Sequence, residues 1–211
     1  MPPGQPKWRR RKEARPAEIV AAALEVFAEK GFAAAKLDDI AARAGVSKGA
    51  LYLYFETKQD LFTAVVREAI IPNLDAVEGV ARMADIPFAL LVRTLLTRVA
   101  ELLSTTSLGA VAKMVIAESR NFPDLARVWH DEVVLRALSI VGLVVERAQA
   151  KGELKAGEPR YVAFSLVGPM LMGALWNETF TPVGAEPADL RVLAAQHIDA
   201  VLGGLLAEGG R

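Results

Sequence analysis

The run SKGALYLYFETK, Ser47 to Lys58, combines residue types that an ordinary solvent-facing helix does not need. On a helical wheel at about 100° per residue, Leu51 and Phe55 fall on one side, and Gly49, Ala50 and Leu53 on the other. If the first side joins a core, the second shows no charge: two small residues, a leucine, and Tyr52 and Tyr54 at its flanks. Small residues let a helix backbone sink into a groove, Leu53 can pack on a thymine methyl, and the tyrosine hydroxyls can reach phosphates on either wall. Lys48, at the helix start, is placed for a guanine edge or a phosphate, and Lys58 for the phosphate backbone. The same face would also suit a small helical subdomain that packs on another protein helix.

The elements that must position this run are legible around it. Leu37, Ile40, Ala41 and Ala44 stand at i, i+3, i+4 and i+7, and the helix they predict stops at Gly45, where a left-handed backbone costs least. Ser47 then offers an N-cap. Thr57 with Asp60 gives a capping-box-like start to a further helix, carried by Leu61, Phe62, Val65 and Val66 toward Pro72. Upstream, a first helix is expected to begin near Pro16 and to run through Ile19, Val20, Ala23, Leu24 and Phe27 to Gly31. Residues 1–15 are Pro-, Gly- and basic-rich and predict a flexible arm, whose Arg9 to Arg11 could track phosphates or a minor groove.

Together, LDDIAARAGVSKGALYLYFETKQDLF resembles the N-terminal helix-turn-helix of the tetracycline-repressor (TetR) family of bacterial transcriptional regulators. The Ile40-Ala41 pair, Gly45, Ser47, Leu51-Tyr52 with Phe55, and Lys58 meet that family's pattern. The resemblance implies that Lys48, Gly49, Ala50 and Leu53 face bases, that Tyr52, Tyr54 and Lys58 hold phosphates, and that Ser47 opens the recognition helix. Two positions depart. Lys36 stands where many members have Thr, keeping a phosphate role through charge, and Ala50 replaces a frequent Thr, removing one hydrogen-bonding base contact. The implied organisation is all-α: a flexible basic arm (1–15), a three-helix DNA-binding domain (16–60), and a larger helical effector-binding and dimerisation domain (61–211).

From Ile86 onward the pattern stays helical, near 86–104, 107–119, 123–151, 159–180 and 187–207, with a kink expected at Pro169. A helix-turn-helix reads half an operator, so a homodimer on a palindromic double-stranded site is expected. The resemblance places its interface in the last two helices, where Val162, Leu166, Gly173, Ile198, Val201, Leu202 and Leu205 form apolar stripes, although an intramolecular core would use part of the same stripes. An apolar effector pocket could draw on Met114, Phe122, Trp129, Met170, Trp176 and Phe180, with Asn177 as an orienting polar group. The effector expected is a small hydrophobic or amphipathic molecule that releases a repressor from DNA.

Composition narrows the rest. The 211 residues carry 25 Lys/Arg and 25 Asp/Glu, so any attraction to nucleic acid is local. It sits at the front, where residues 1–60 hold 11 of the basic and 8 of the acidic groups. No cysteine is present, no apolar run is long enough to span a bilayer, and a cytoplasmic protein without membrane contact is expected. His130-Asp131-Glu132 and His197 with Asp199 put imidazole beside carboxylate, but lack the paired spacing of a metal site or a hydrolase motif. No enzyme activity, metal or cofactor is expected. A non-sensing architectural or protein-interaction module and a helical enzyme are the competing readings.

Overall fold

The computed structural model describes the backbone of residues 7–82 and 86–207, and side chains from residue 16 onward over the same ranges. The described residues form an all-α protein. Its front part comprises α1 (Lys7–Ala34), α2 (Leu37–Arg43), α3 (Lys48–Tyr52) and α4 (Lys58–Val65). The larger part comprises α5 (Ile71–Ala81), α6 (Phe88–Thr105), α7 (Leu108–Glu118), α8 (Pro123–Trp129), α9 (Leu135–Ala150), α10 (Pro159–Thr179) and α11 (Leu190–Leu205). An isolated bridge between Leu154 and Leu206 pins the α9–α10 connection to the end of α11.

Local chemistry accounts for the element boundaries. Gly31, at φ 76° and ψ 169°, breaks the helical path of α1, and Gly45, at φ 66°, turns the chain between α2 and α3. Ser47 Oγ accepts the Ala50 N–H at 3.2 Å. Thr57 and Asp60 form a complete capping box. Asp189 caps α11 by accepting the N–H groups of Arg191 and Val192.

Two boundaries differ from expectation. α1 starts at Lys7 and contains Pro16, since one missing donor does not end a helix when the turns on both sides hold. The side chains of Arg9 to Arg11 lie outside the described residues, as does all of Met1–Pro6. The helix after Lys58 does not stop before Pro72 but passes through a π turn, Val66–Ile70, into α5. There the Ile71 N–H bonds to the Val66 carbonyl, a wider turn that accommodates a residue lacking its own N–H. α10 runs through Pro169 as one helix. A second π turn, His130–Val134, joins α8 to α9, and Arg67 Nη2 meets Glu132 Oε1 at 2.6 Å between the two π turns.

Two cores organise the molecule. The first gathers Ile19, Phe27, Phe32, Ile40, Leu51, Phe55, Leu61 and Phe62 with Val111, Met114, Val115 and Leu125, so α1 to α4 share apolar packing with α7 and α8. The second joins α5, α6, α9, α10 and α11.

The stripes assigned to a subunit interface belong to this second core. Leu166, Ile198 and Leu202 are buried within it, and Val162, Val201 and Leu205 pack against it. A Cβ on Gly173 would lie 2.6 Å from Leu190 Cδ2 and 2.8 Å from Leu193 Cδ2, so this glycine brings α10 and α11 together within one chain. Leu166, Gly173, Ile198 and Leu202 are thus covered by their own chain, whereas Val162, Val201 and Leu205 keep part of their surface exposed; apolar period identifies a buried face but not which chain covers it. The exposed apolar groups lie around the helix from there, at Tyr161, Phe164, Leu171, Met172 and Trp176 of α10 and Val192 of α11.

Candidate nucleic-acid interface

The outward face of α3 is built on a buried footing. Leu51 is fully buried and Phe55 nearly so, beneath α1 and α2, which turns Gly49 and Leu53 outward. Leu53 is 82% exposed. Tyr52 is exposed beside it, and Tyr54 is half-buried against the first core. Ala50 is half-buried, Lys36 is exposed at the N-cap of α2, and Ser47 is committed to capping α3 through its oxygen. Around one short helix the structure thus gathers Ser47, Lys48, Gly49, Ala50, Tyr52, Leu53 and Tyr54.

Ion pairs brace this head. Arg43 donates to both carboxylate oxygens of Glu29, at 2.5 and 2.8 Å, fastening α2 to α1; the bond holds the Glu29 carboxyl below its usual range. Lys30 does the same for Asp39 at 2.8 Å, lowering its pKa. Lys48 Nζ sits 2.8 Å from Asp38, and that hydrogen bond, with the attraction of the carboxylate charge, raises the lysine's pKa. The side chain expected to greet DNA therefore already holds an anion. Asp38 escaped the sequence reading, although two acids opening α2 across a Gly turn from Lys48 were its signal.

Lys58, expected at phosphates, is engaged within the chain. Its ammonium donates to the carbonyls of Phe32, Ala33 and Ala35, the latter two at 3.2 and 2.9 Å. It also lies 4.5 Å from the centre of the Phe32 ring. Carbonyls left over where α1 ends are ready acceptors for a cation that can reach them. Burial pushes the Lys58 pKa down, and the charge of Glu118 counters it.

The residues expected to line one effector pocket do not meet. Met114 belongs to the first core, with Phe122 and Trp129 packed against it, whereas Met170 lies in the second. Trp176 and Phe180 form an exposed ring pair 5.0 Å apart. Asn177 donates to the Ala188 carbonyl at 2.9 Å and accepts its N–H at 2.7 Å, tying down the loop before α11. Helical spacing places these groups along the chain's elements without saying which element they face. Concave space occurs as a groove of about 620 Å³ between α5 and α6, bordered by Val77, Val80, Arg93 and Arg98, and as one of about 550 Å³ between α10 and α11, bordered by Pro169, Met172, Leu193 and, of the expected pocket residues, Trp176. No single helix among the described residues is long and apolar enough to cross a membrane.

Comparison with known proteins agrees with this architecture. The family model described as bacterial regulatory proteins, tetR family, matches residues 19–65, and that described as tetracyclin repressor-like, C-terminal domain, matches residues 91–195. The uncharacterized HTH-type transcriptional regulator YvdT of Bacillus subtilis is 39% identical over 62 residues, which are 29% of this chain and 32% of that protein. The chain thus matches about a third of that regulator's length. The HTH-type transcriptional repressor BepR of Brucella suis is 26% identical over 181 residues, 80% of this chain and 86% of that protein. In fold, the chain is similar to the transcriptional regulator FadR from Bacillus subtilis in complex with stearoyl-CoA, with a TM-score of 0.75 and 21% identity over 89% of this chain and 98% of that one. These relatives are transcriptional regulators, not enzymes.

Proposed function

Because the chain belongs to the tetR family of bacterial regulatory proteins, we propose that it is a cytoplasmic, effector-released repressor that grips a palindromic operator as a homodimer. The observation that carries this reading is the outward face of α3. Leu53, Gly49 and Tyr52 are presented to solvent from a helix whose other side is locked by Leu51 and Phe55. Together with Gly49 and Tyr52, Leu53 gives this face the small and apolar groups that close contact with a groove uses.

In this reading Lys48, Gly49, Ala50 and Leu53 approach base edges, and Lys36, Ser47, Tyr52 and Tyr54 hold phosphates. Ser47 can serve both needs, since its oxygen accepts the Ala50 N–H while its hydroxyl proton is available to an anion. Lys58 acts at one remove, holding the end of α1 against the start of α4.

A second copy of the chain is the occupant we assign to the exposed apolar groups Phe164, Met172, Trp176 and Val192, of which Met172 and Trp176 border the α10–α11 groove. Two-fold pairing there sets two recognition helices on one duplex, about 34–36 Å apart when the half-sites are one turn apart. The effector is a small hydrophobic or amphipathic molecule. The FadR relative holds stearoyl-CoA, which makes long-chain acyl thioesters sensible first probes. The α5–α6 groove offers both elements such a ligand needs, apolar wall and arginine.

The deciding experiment is selection of duplexes from a random pool by the purified chain, repeated with stearoyl-CoA present. A palindromic consensus is expected without ligand, and its recovery should fall with ligand. Enrichment without any palindrome would leave an architectural protein instead.

A further inference from the structure

The turn that closes α1 is held from two sides. From the larger part of the molecule, Glu118, the last residue of α7, accepts the Ala33 N–H on Oε2 at 2.7 Å. Its Oε1 stands 2.7 Å from where a Cβ on Gly31 would lie. Gly31 therefore does two things at once: it adopts a positive φ and it leaves the space that the carboxylate enters. From the head, Lys58 donates to three carbonyls between Phe32 and Ala35.

The side chain between these grips is equally fixed. Phe32 is fully buried, with the rings of Phe27, Phe62 and Phe122 centred 5.5, 6.1 and 5.0 Å away. Phe122 comes from the same turn as Glu118, and its own N–H bonds to the Glu118 carbonyl at 2.9 Å. One turn after α7 thus supplies both a carboxylate for the backbone and a ring for the side chain of this segment. Just beyond it, Lys36 and Leu37 open α2, which carries the recognition helix.

The earlier part of α7 meets a different neighbour. Lys113 Nζ donates to the Glu178 carbonyl of α10, and Gly109 lies where a Cβ would touch Ala174 at 3.4 Å. α7 therefore touches α10 through Gly109 and Lys113, packs into the head's core through Val111, Met114 and Val115, and reaches the 31–35 turn with its last residue.

We propose that Glu118 is a positioning residue for DNA recognition: it fastens the 31–35 turn to the end of α7 and so fixes the footing from which α2 carries the recognition helix. This rests on the DNA-binding reading above. The bond is charge-assisted and made to a backbone donor at the surface beside a filled core, so its loss should act locally.

The test uses the full chain with Glu118→Ala and Glu118→Gln. Hydrogen exchange is followed over residues 31–43, and affinity is measured for a selected operator duplex and for a scrambled duplex of equal length. Glu118→Ala should speed exchange around Ala33 by about tenfold, the order expected for one hydrogen bond to a charged group. It should weaken the operator complex by about fivefold or more while scrambled binding, dominated by phosphate charge, moves less than about twofold. Glu118→Gln keeps an oxygen for the Ala33 N–H and should recover most of both.

Unchanged exchange in Glu118→Ala, equal losses on both duplexes, or no recovery in Glu118→Gln would each overturn the proposal. Should Glu118→Ala not fold, Glu118→Asp withdraws the carboxylate by one methylene and is read identically. A wild-type chain that prefers no duplex defeats the DNA-binding reading by itself; the exchange comparison still decides whether Glu118 holds the turn.

Discussion

Lys48 reaches back across the helix-turn-helix to Asp38, with Nζ 2.8 Å from a carboxylate oxygen. The pair is exposed, so it adds little to stability, yet it decides what Lys48 must release before it can meet DNA. A phosphate or a guanine edge competes with Asp38 for the same ammonium, and the displaced carboxylate is left facing a polyanion. Asp38→Asn should therefore tighten operator binding by about two- to fivefold, the range of a surface pair. The slope of log affinity against log salt should steepen toward one further released counterion. Weaker binding at an unchanged slope would show that Asp38 aims Lys48 rather than restrains it.

Tyr52 and Leu53 are neighbours with separable duties. A phenolic hydroxyl on a phosphate is indifferent to sequence, whereas in the proposed complex Leu53 would meet the base edge beneath α3. Tyr52→Phe should cost about 1 kcal/mol on operator and scrambled duplexes alike. Leu53→Ala should instead change the base selected at one step of the consensus. Duplex selection with each variant checks both, and a shifted consensus for Tyr52→Phe would reverse the assignment.

How much of this head could be read in advance follows from the distances involved. Gly45, the Ser47 cap, the Thr57–Asp60 box and the Leu51/Phe55 pair act within a few residues of themselves, so residue type and spacing announce them. Lys58 acts on carbonyls 23 to 26 positions earlier, and the Glu118 contact with Ala33 spans 85 positions. Neither leaves a local pattern. The apolar stripes through Leu166, Ile198 and Leu202 announce burial, but the covering surface is set by how α6, α10 and α11 dock. The residues available to a second chain are those left over, and only the packed molecule identifies them.

Met172 is one of those residues, exposed in mid-α10 and bordering the α10–α11 groove. In a monomer, glutamate there stays in water and leaves the helix intact. In the proposed dimer it is buried without a partner, a cost of several kcal/mol. Met172→Glu should shift sedimentation from dimer to monomer with unchanged helical circular dichroism. Operator affinity should fall with it, since two half-sites are no longer bound together. A dimer that survives Met172→Glu would place the interface elsewhere.

Acid should loosen the larger part through Glu78. Arg136 of α9 donates to Glu78 of α5 at 2.7 Å, and Arg82 donates to the same carboxylate. The Arg136 bond first, and then the Arg82 bond, hold the Glu78 pKa below 4.5. A carboxylate depressed in the folded state binds its proton more readily when unfolded. Its contribution is complete above 4.5 and is lost as pH falls through the lower folded value. Glu78→Gln should accordingly be less stable than wild type at neutral pH in urea, with the gap closing in acid. A gap independent of pH would remove the ion pair as its cause.

Lys58 separates two roles that coincide in position but not in consequence. As a phosphate ligand it would contribute one released counterion to the salt dependence of DNA binding. As found, it satisfies carbonyls of Phe32, Ala33 and Ala35 and covers the Phe32 ring. Lys58→Met retains much of the apolar stem but none of the donors, leaving those carbonyls without this partner at the edge of the first core. We expect a stability loss of about 1–3 kcal/mol, the cost of a polar group left unsatisfied, measured by urea unfolding. Operator affinity should drop through looser positioning while the salt slope stays at the wild-type value. A slope lower by about one with unchanged stability would return Lys58 to the phosphate and leave the end of α1 to be held by Glu118.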